Sequence, residues 1–135
     1  MRVQARPYAM ACRSAAVVFI LVCCGGERGH AAGNAGNGER AFARQCAICH
    51  TVDQGGPNRF GPNLFGILHR KAGTVSGFDY SRAFKTTATW DWNEDLVAGW
   101  IAAPGQMVPG TAMAVFQGVA QADRDDIVAY LATKQ

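Results

Sequence analysis

The sequence Cys46-Ala47-Ile48-Cys49-His50 decides how this chain can fold. Two cysteines three positions apart, at the end of a helix, can reach the two vinyl groups on one edge of a porphyrin and form thioethers. A histidine that follows directly lies under the ring, where its imidazole can bind iron. The motif therefore predicts one haem c, attached through Cys46 and Cys49, with His50 as an axial ligand of the iron.

The same two cysteines have three alternative uses: a disulfide, a zinc site or a thioredoxin-like redox pair. A zinc site needs two more Cys or His ligands, and beyond residue 32 only His50 and His69 remain. A thioredoxin-like pair needs a βαβ pattern, and the sequence shows no strand pattern of any length. Because His50 directly follows Cys49, haem attachment is favoured over a disulfide.

Residues 1–32 are predicted to be a signal peptide. Arginines precede an apolar run at 15–24, and a stretch of small residues follows around Ala32, which is the order typical of an export signal. A membrane span needs about twenty apolar residues, so we expect no membrane span in the mature form, residues 33–135. The predicted location is the bacterial periplasm. Lipid attachment at Cys23 or Cys24 is an alternative for this segment.

The positive charge of the chain belongs to that leader. Residues 1–32 contain four arginines and one acidic residue, which accounts for the whole net charge of +3. Residues 33–135 carry nine basic and nine acidic side chains. A neutral domain has no electrostatic attraction for nucleic acid or for anionic membranes, so neither partner is predicted.

The pattern beyond residue 32 indicates an all-α domain with long loops. Asn37 and Asn93 are suitable helix N-caps, Pro104 stops a helix, and residues 51–79 and 104–116 are expected to be irregular. Ile127, Tyr130 and Leu131 form an apolar stripe at helical spacing. The predicted helices run from Asn37 to about Ala47, over 81–86, from Asn93 to about Ala102, and from about Ala122 to Thr133.

A second axial ligand must come from far along the sequence. The candidates share a side chain that can bind iron, and they are Met107, Met113, His69, Lys71 and Lys85. A methionine is more often core filling than a ligand. Met113, however, ends the stiff segment Val108-Pro109-Gly110-Thr111-Ala112-Met113, and such a loop can hold a thioether rigidly against iron.

From Gly38 to Leu131 the sequence resembles the class I c-type cytochromes, in particular the mitochondrial and short soluble bacterial cytochromes c. Besides the cysteine motif, Gly61-Pro62-Asn63-Leu64 and the Pro-Gly-Thr-x-Met segment that ends at Met113 carry the resemblance. It implies helices and long loops wrapped around one covalently attached haem. It also implies that Met113 is the second axial ligand and that the first and last helices cross.

The resemblance further assigns roles around the haem. The carbonyl of Pro62 would accept a hydrogen bond from the imidazole of His50, which orients that ligand. The residues implied to bond the haem propionates are Arg70, Tyr80, Trp90 and Thr111. Trp100 replaces the usual tyrosine near the methionine sulfur and Phe84 replaces the usual asparagine, and we expect both replacements to remove polar contact there.

The chain also departs from its mitochondrial relatives at the docking surface. Positions at which lysine is usual in that group hold uncharged residues, namely Gln45, Gly105, Gln106 and Ala112. We therefore expect weak electrostatic steering toward partners.

Ligation by His50 and Met113 would fill both axial positions and leave no vacancy for a substrate. The predicted function is that of a monomeric one-electron carrier, not an enzyme, which exchanges electrons with redox proteins such as membrane complexes or dehydrogenases. Two alternatives remain. One is a haem peroxidase or gas sensor with a labile Met113, and the other is a dedicated haem subunit of a dehydrogenase or oxidase complex.

Overall fold

The computed structural model describes residues 33–135, and the predicted signal peptide lies outside these described residues. The helices are α1 (Ala35–Gln45), α2 (Arg82–Thr87), α3 (Glu94–Ala102), α4 (Pro104–Met107), a 3-10 helix (Ala112–Val115) and α5 (Gln121–Ala132). Over 33–135 there is no strand, only one isolated bridge between Lys71 and Asp91. The all-α prediction is confirmed. No helix in the described part is long and apolar enough to cross a membrane.

Asparagine caps begin α1 and α3, as predicted, but the cap of α1 is a different asparagine. The side chain of Asn34, not Asn37, caps α1 by accepting a hydrogen bond from the Asn37 N–H at 2.9 Å. The backbone N–H of Asn34 also donates to the Asp126 carboxylate at 2.6 Å, a contact across the fold that favours the earlier start. The predicted cap of α3 is confirmed, because Asn93 accepts from the Leu96 N–H at 2.8 Å.

The stretch predicted to be irregular after α3 contains two short helices. Pro104 ends α3, but it also occupies the first turn of α4, where its missing N–H costs no hydrogen bond. Residues 112–115 form a single 3-10 turn. This turn places Met113 on a short, tight element rather than on an extended loop.

Helices α1 and α5 cross in close contact, as the resemblance implies. A Cβ at Gly38 would collide with the backbone carbonyl of Asp126, so only glycine lets the two backbones approach so closely. Phe42 packs on Tyr130 with ring centroids 5.5 Å apart, and Ile127 is 1% exposed. This crossing closes one side of the domain.

The other side is filled by an aromatic cluster, which consists of Tyr80, Phe84, Trp90, Trp92 and Trp100. Phe84 lies at its centre, with ring centroids 5.2 Å from Tyr80 and 5.2 Å from Trp100. The long loop is tied to this cluster because the N–H of Trp92 donates to the Arg70 carbonyl at 2.9 Å. Large aromatic rings thus bury much apolar surface where regular structure is sparse.

Candidate haem site

A cavity of about 440 Å³ lies between the end of α1, the loop around residues 60–64, α3 and the segment 111–116. Its walls are mostly apolar side chains, and it brings His50 and Met113 to one enclosed space although they are far apart in sequence. An apolar cavity with a few polar groups is the usual form of a cofactor site. This volume is in the range of such sites.

The cysteine motif forms a tight turn at the end of α1. The Cys46 N–H donates to the Phe42 carbonyl at 2.8 Å, and the His50 N–H donates to the Cys46 carbonyl at 2.9 Å. Both cysteines line the cavity, and within residues 33–135 neither forms a disulfide, so the two are not bonded to each other. The turn thus presents two sulfurs and the imidazole of His50 to the same space.

The protonation of Cys46 bears on the zinc alternative. Burial raises the pKa of the Cys46 thiol to about 11, and the neighbouring Cys49 adds to the rise. This environment disfavours a free thiolate, whereas a thioether is neutral and fits it. Zinc would itself lower the pKa of a bound thiol, so the zinc alternative depends on whether further ligands are present. Within residues 33–135 no group of three or more His, Cys, Asp and Glu side chains is placed to hold a metal ion.

His50 is oriented by the loop that follows it. Its Nδ1 lies 2.7 Å from the carbonyl oxygen of Pro62, and since a carbonyl only accepts, Nδ1 carries the hydrogen and Nε2 keeps its lone pair. Burial lowers the pKa of His50, while the Pro62 contact opposes this shift. The neutral imidazole that results is the form that binds iron.

Met113 is held from α3 by Trp100. The indole Nε1–H of Trp100 donates to the sulfur of Met113 at 2.9 Å. The expectation that Trp100 removes polar contact near the haem is therefore wrong at this position. Tryptophan is largely apolar, but its ring carries one N–H donor, and packing aims that donor at the sulfur. Phe84, in contrast, brings only apolar surface.

Of the four residues implied to bond the propionates, three lie around the cavity and one does not. Arg70, Tyr80 and Thr111 line the cavity, whereas Trp90 lies outside its lining. Arg70 donates to the carbonyls of Phe65 at 2.8 Å and Asn63 at 3.1 Å. Burial lowers the pKa of Arg70, an effect that Tyr80 opposes. A carboxylate in the cavity would offset the desolvation of this guanidinium.

Trp90 carries an unsatisfied donor. Its Nε1 is buried and has no hydrogen-bond partner among the described residues, which is rare in a folded protein. A propionate oxygen is a group that would satisfy it. The donors that line the cavity, Arg70, Tyr80 and Thr111, fit a haem, whereas the Nε1 of Trp90 would serve only a propionate that reached beyond the lining.

Sequence reasoning missed the apolar residues at the rim of the cavity. Phe60 and Val115 are each 86% exposed and line the opening. The available signal was their place in the sequence, because Phe60 directly precedes the Gly61-Pro62 loop and Val115 follows Met113 by two positions.

Comparison with known proteins agrees with this site. The cytochrome c family model matches residues 35–135. A cytochrome c of the plant Nigella damascena is 41% identical over 101 residues, which cover 74% of this chain and 89% of that relative. A cytochrome c of Gossypium barbadense is 43% identical over 100 residues, 73% of this chain and 88% of that one. A cytochrome c of the fungus Gibberella zeae is 41% identical over 102 residues, 75% and 94% of the two chains.

The fold and the site together define a small helical haem protein. The chain belongs to the cytochrome c family. It is a haem electron carrier with one haem c, and Cys46 and Cys49 are the cysteines of the attachment motif.

The predicted periplasmic location is wrong. The relatives above come from plants and a fungus, which contradicts a location in a bacterial periplasm. The prediction depended on the charges and the apolar run of residues 1–32. Those features are typical of targeting segments in general. They do not specify the kind of cell, so they could not support a bacterial location.

Proposed function

We propose that this protein passes single electrons between redox proteins through an iron held between His50 and Met113. The observation that carries the proposal is the cavity itself. It joins an imidazole with a free Nε2 to a thioether sulfur that is fixed by a hydrogen bond from Trp100. A haem c supplies an iron that changes between the ferric and ferrous states by one electron.

The chain's own residues would position and shield that iron. Cys46 and Cys49 hold the cofactor covalently, and Pro62 fixes the imidazole of His50 through the 2.7 Å contact. The donors for the propionates are Arg70, Tyr80, Trp90 and Thr111. The aromatic cluster excludes water from the Met113 side, and a methionine ligand favours the reduced iron relative to a second nitrogen ligand.

A carrier also needs no acid or base for catalysis. Asp123, in the first turn of α5, accepts a hydrogen bond from the Gln45 side chain at 2.7 Å, which makes it a structural link between α1 and α5. We expect the protein to act as a monomer that docks transiently, with Phe60 and Val115 at the rim of the cavity facing the partner. A contact of small area suits partners that must separate quickly.

The visible spectrum of the haem-loaded protein tests this function. The reduced protein should show a low-spin spectrum that carbon monoxide leaves unchanged, and the Met113→Ala variant should bind carbon monoxide readily. Ready binding by the wild type would instead favour a peroxidase or gas sensor with an open iron. Co-purification of one fixed partner in constant proportion would favour a dedicated subunit.

A further inference from the structure

The segment that leads into α1 lies directly against α5. A Cβ at Gly33 would collide with the backbone carbonyl of Asp125. The next residue, Asn34, donates its backbone N–H to the carboxylate of Asp126 at 2.6 Å. Position 33 therefore requires glycine, and the segment before α1 is held on α5 by backbone groups.

The carboxylates at this contact have no cation beside them among the described residues. Asp125 and Asp126 belong to α5, and neither takes part in the two ion pairs formed within residues 33–135. Within the same residues, the Asp126 carboxylate accepts one hydrogen bond, from the neutral backbone N–H of Asn34. A positive group placed next to Asn34 would complement the charge of this contact.

The predicted signal peptide ends at this point of the chain. Ala31 and Ala32 are small residues, as preferred by the peptidases that remove such segments, and the family match begins at residue 35. Hydrolysis of the bond between Ala32 and Gly33 consumes one water molecule. It leaves a carboxylate on Ala32 and an amine on Gly33, and an α-amine is largely protonated at neutral pH because its ordinary pKa is about 7.7–8.0.

The new amine would lie within reach of Asp126. The nitrogens of Gly33 and Asn34 are separated only by the α-carbon and the carbonyl carbon of Gly33. Rotation about the bond between these two carbons moves the amine, and glycine permits a wide range of such rotation. The amine and the N–H of Asn34 can therefore bind the same carboxylate, and capture of a terminal amine among backbone groups is a recurring mode of recognition.

We propose that Asn34, Asp125 and Asp126 form a binding site for the chain's own N-terminal amine, which cleavage between Ala32 and Gly33 creates. Before cleavage the nitrogen of Gly33 belongs to a neutral amide, so the ion pair cannot form. Removal of the signal peptide thus adds a charged contact between the start of the domain and α5. The inference does not depend on the iron ligands, so it is tested separately from the proposed function.

The first measurement is the mass of the haem-loaded protein isolated from its native cells, with sequencing of its N-terminal peptide. The chain should begin at Gly33. Any other first residue would overturn the proposal, because the amine would then not lie next to Asn34.

The second measurement compares two haem-loaded forms in urea titrations. One form begins at Gly33, and the other begins at Ala31, which moves the amine up to about 7 Å further along the chain. Asp126→Asn removes the charge but keeps an oxygen that can accept from the N–H of Asn34. This substitution should raise the unfolding equilibrium constant about 2-fold to 5-fold more in the form that begins at Gly33. An equal effect in both forms would overturn the proposal.

Two controls separate the ion pair from a general effect of charge. Asp53→Asn removes one exposed carboxylate from the loop after the haem motif, and it should act equally in both forms. In about 1 M salt, where screening acts within about 3 Å, the difference caused by Asp126→Asn should shrink. A difference that is unchanged in salt, or that Asp53→Asn reproduces, would contradict an ion pair at Asp126.

Discussion

Gly61 lies against the face of the His50 imidazole so closely that a Cβ at this position would collide with the ring. The loop needs this approach because Pro62, the next residue, accepts the hydrogen bond from Nδ1 of His50 at 2.7 Å. The glycine therefore makes room for the ligand, and the residue after it orients that ligand.

Gly61→Ala should displace His50 and break its contact with Pro62. Overpacking a dense interior costs about 1–3 kcal/mol, and we expect a loss of stability of this size in a denaturant titration, with an altered low-spin spectrum. Gly99→Ala is the matched control, because a Cβ there meets only the flexible Met107 sulfur at 3.7 Å. Since alanine favours a helix interior over glycine by about 1 kcal/mol, Gly99→Ala should be neutral or stabilising. Equal loss in both variants would count against the steric argument.

Gly38→Ala should separate α1 from α5. The added methyl group would meet the Asp126 carbonyl, which is backbone and cannot turn aside. We expect a lower midpoint of thermal unfolding, with a spectrum that stays low-spin until the protein unfolds, because the crossing lies away from His50 and Met113. A spectrum that changes before unfolding would show that the crossing also sets the iron ligands.

Cys46→Ala combined with Cys49→Ala should leave the protein largely unfolded. The cavity lies in the middle of a domain rich in loops, and an empty interior of this size removes much of the packing that opposes chain entropy. Circular dichroism and limited proteolysis measure the result. A folded, protease-resistant double variant would show that the aromatic cluster and the α1–α5 crossing suffice as a core.

Stability should fall as the solution becomes acidic. Burial lowers the pKa of His50 below its ordinary value, and in the haem-loaded protein the proposed bond from its Nε2 to the iron also requires the neutral ring, so the folded state disfavours protonation. This contribution is present above about pH 6.5, the pKa of a free histidine, and it is lost as the pH falls through the lowered pKa. Denaturant titrations between pH 8 and pH 4 measure it.

Much of the fold follows from local chemistry that is readable along the chain. The cysteine motif sets the spacing of the two sulfurs that attach the haem. Asn93 begins a helix and Pro104 ends one, and each effect depends only on residues a few positions away. The start of α1 was misplaced because Asn34 and Asn37 are equally suitable caps by type. A hydrogen bond from Asn34 to Asp126, ninety-two positions away, distinguishes them.

The sequence by itself determined the haem motif, the helical class and the loop that ends at Met113, because these depend on residue types at short, fixed spacing. Only the tertiary structure decided that the N–H of Trp100 reaches the sulfur of Met113 and that the Nε1 of Trp90 finds no partner within residues 33–135. The direction of a single N–H is set by packing among segments far apart in sequence. The residue type shows that a tryptophan has an N–H donor. The direction of that N–H depends on how the aromatic cluster packs.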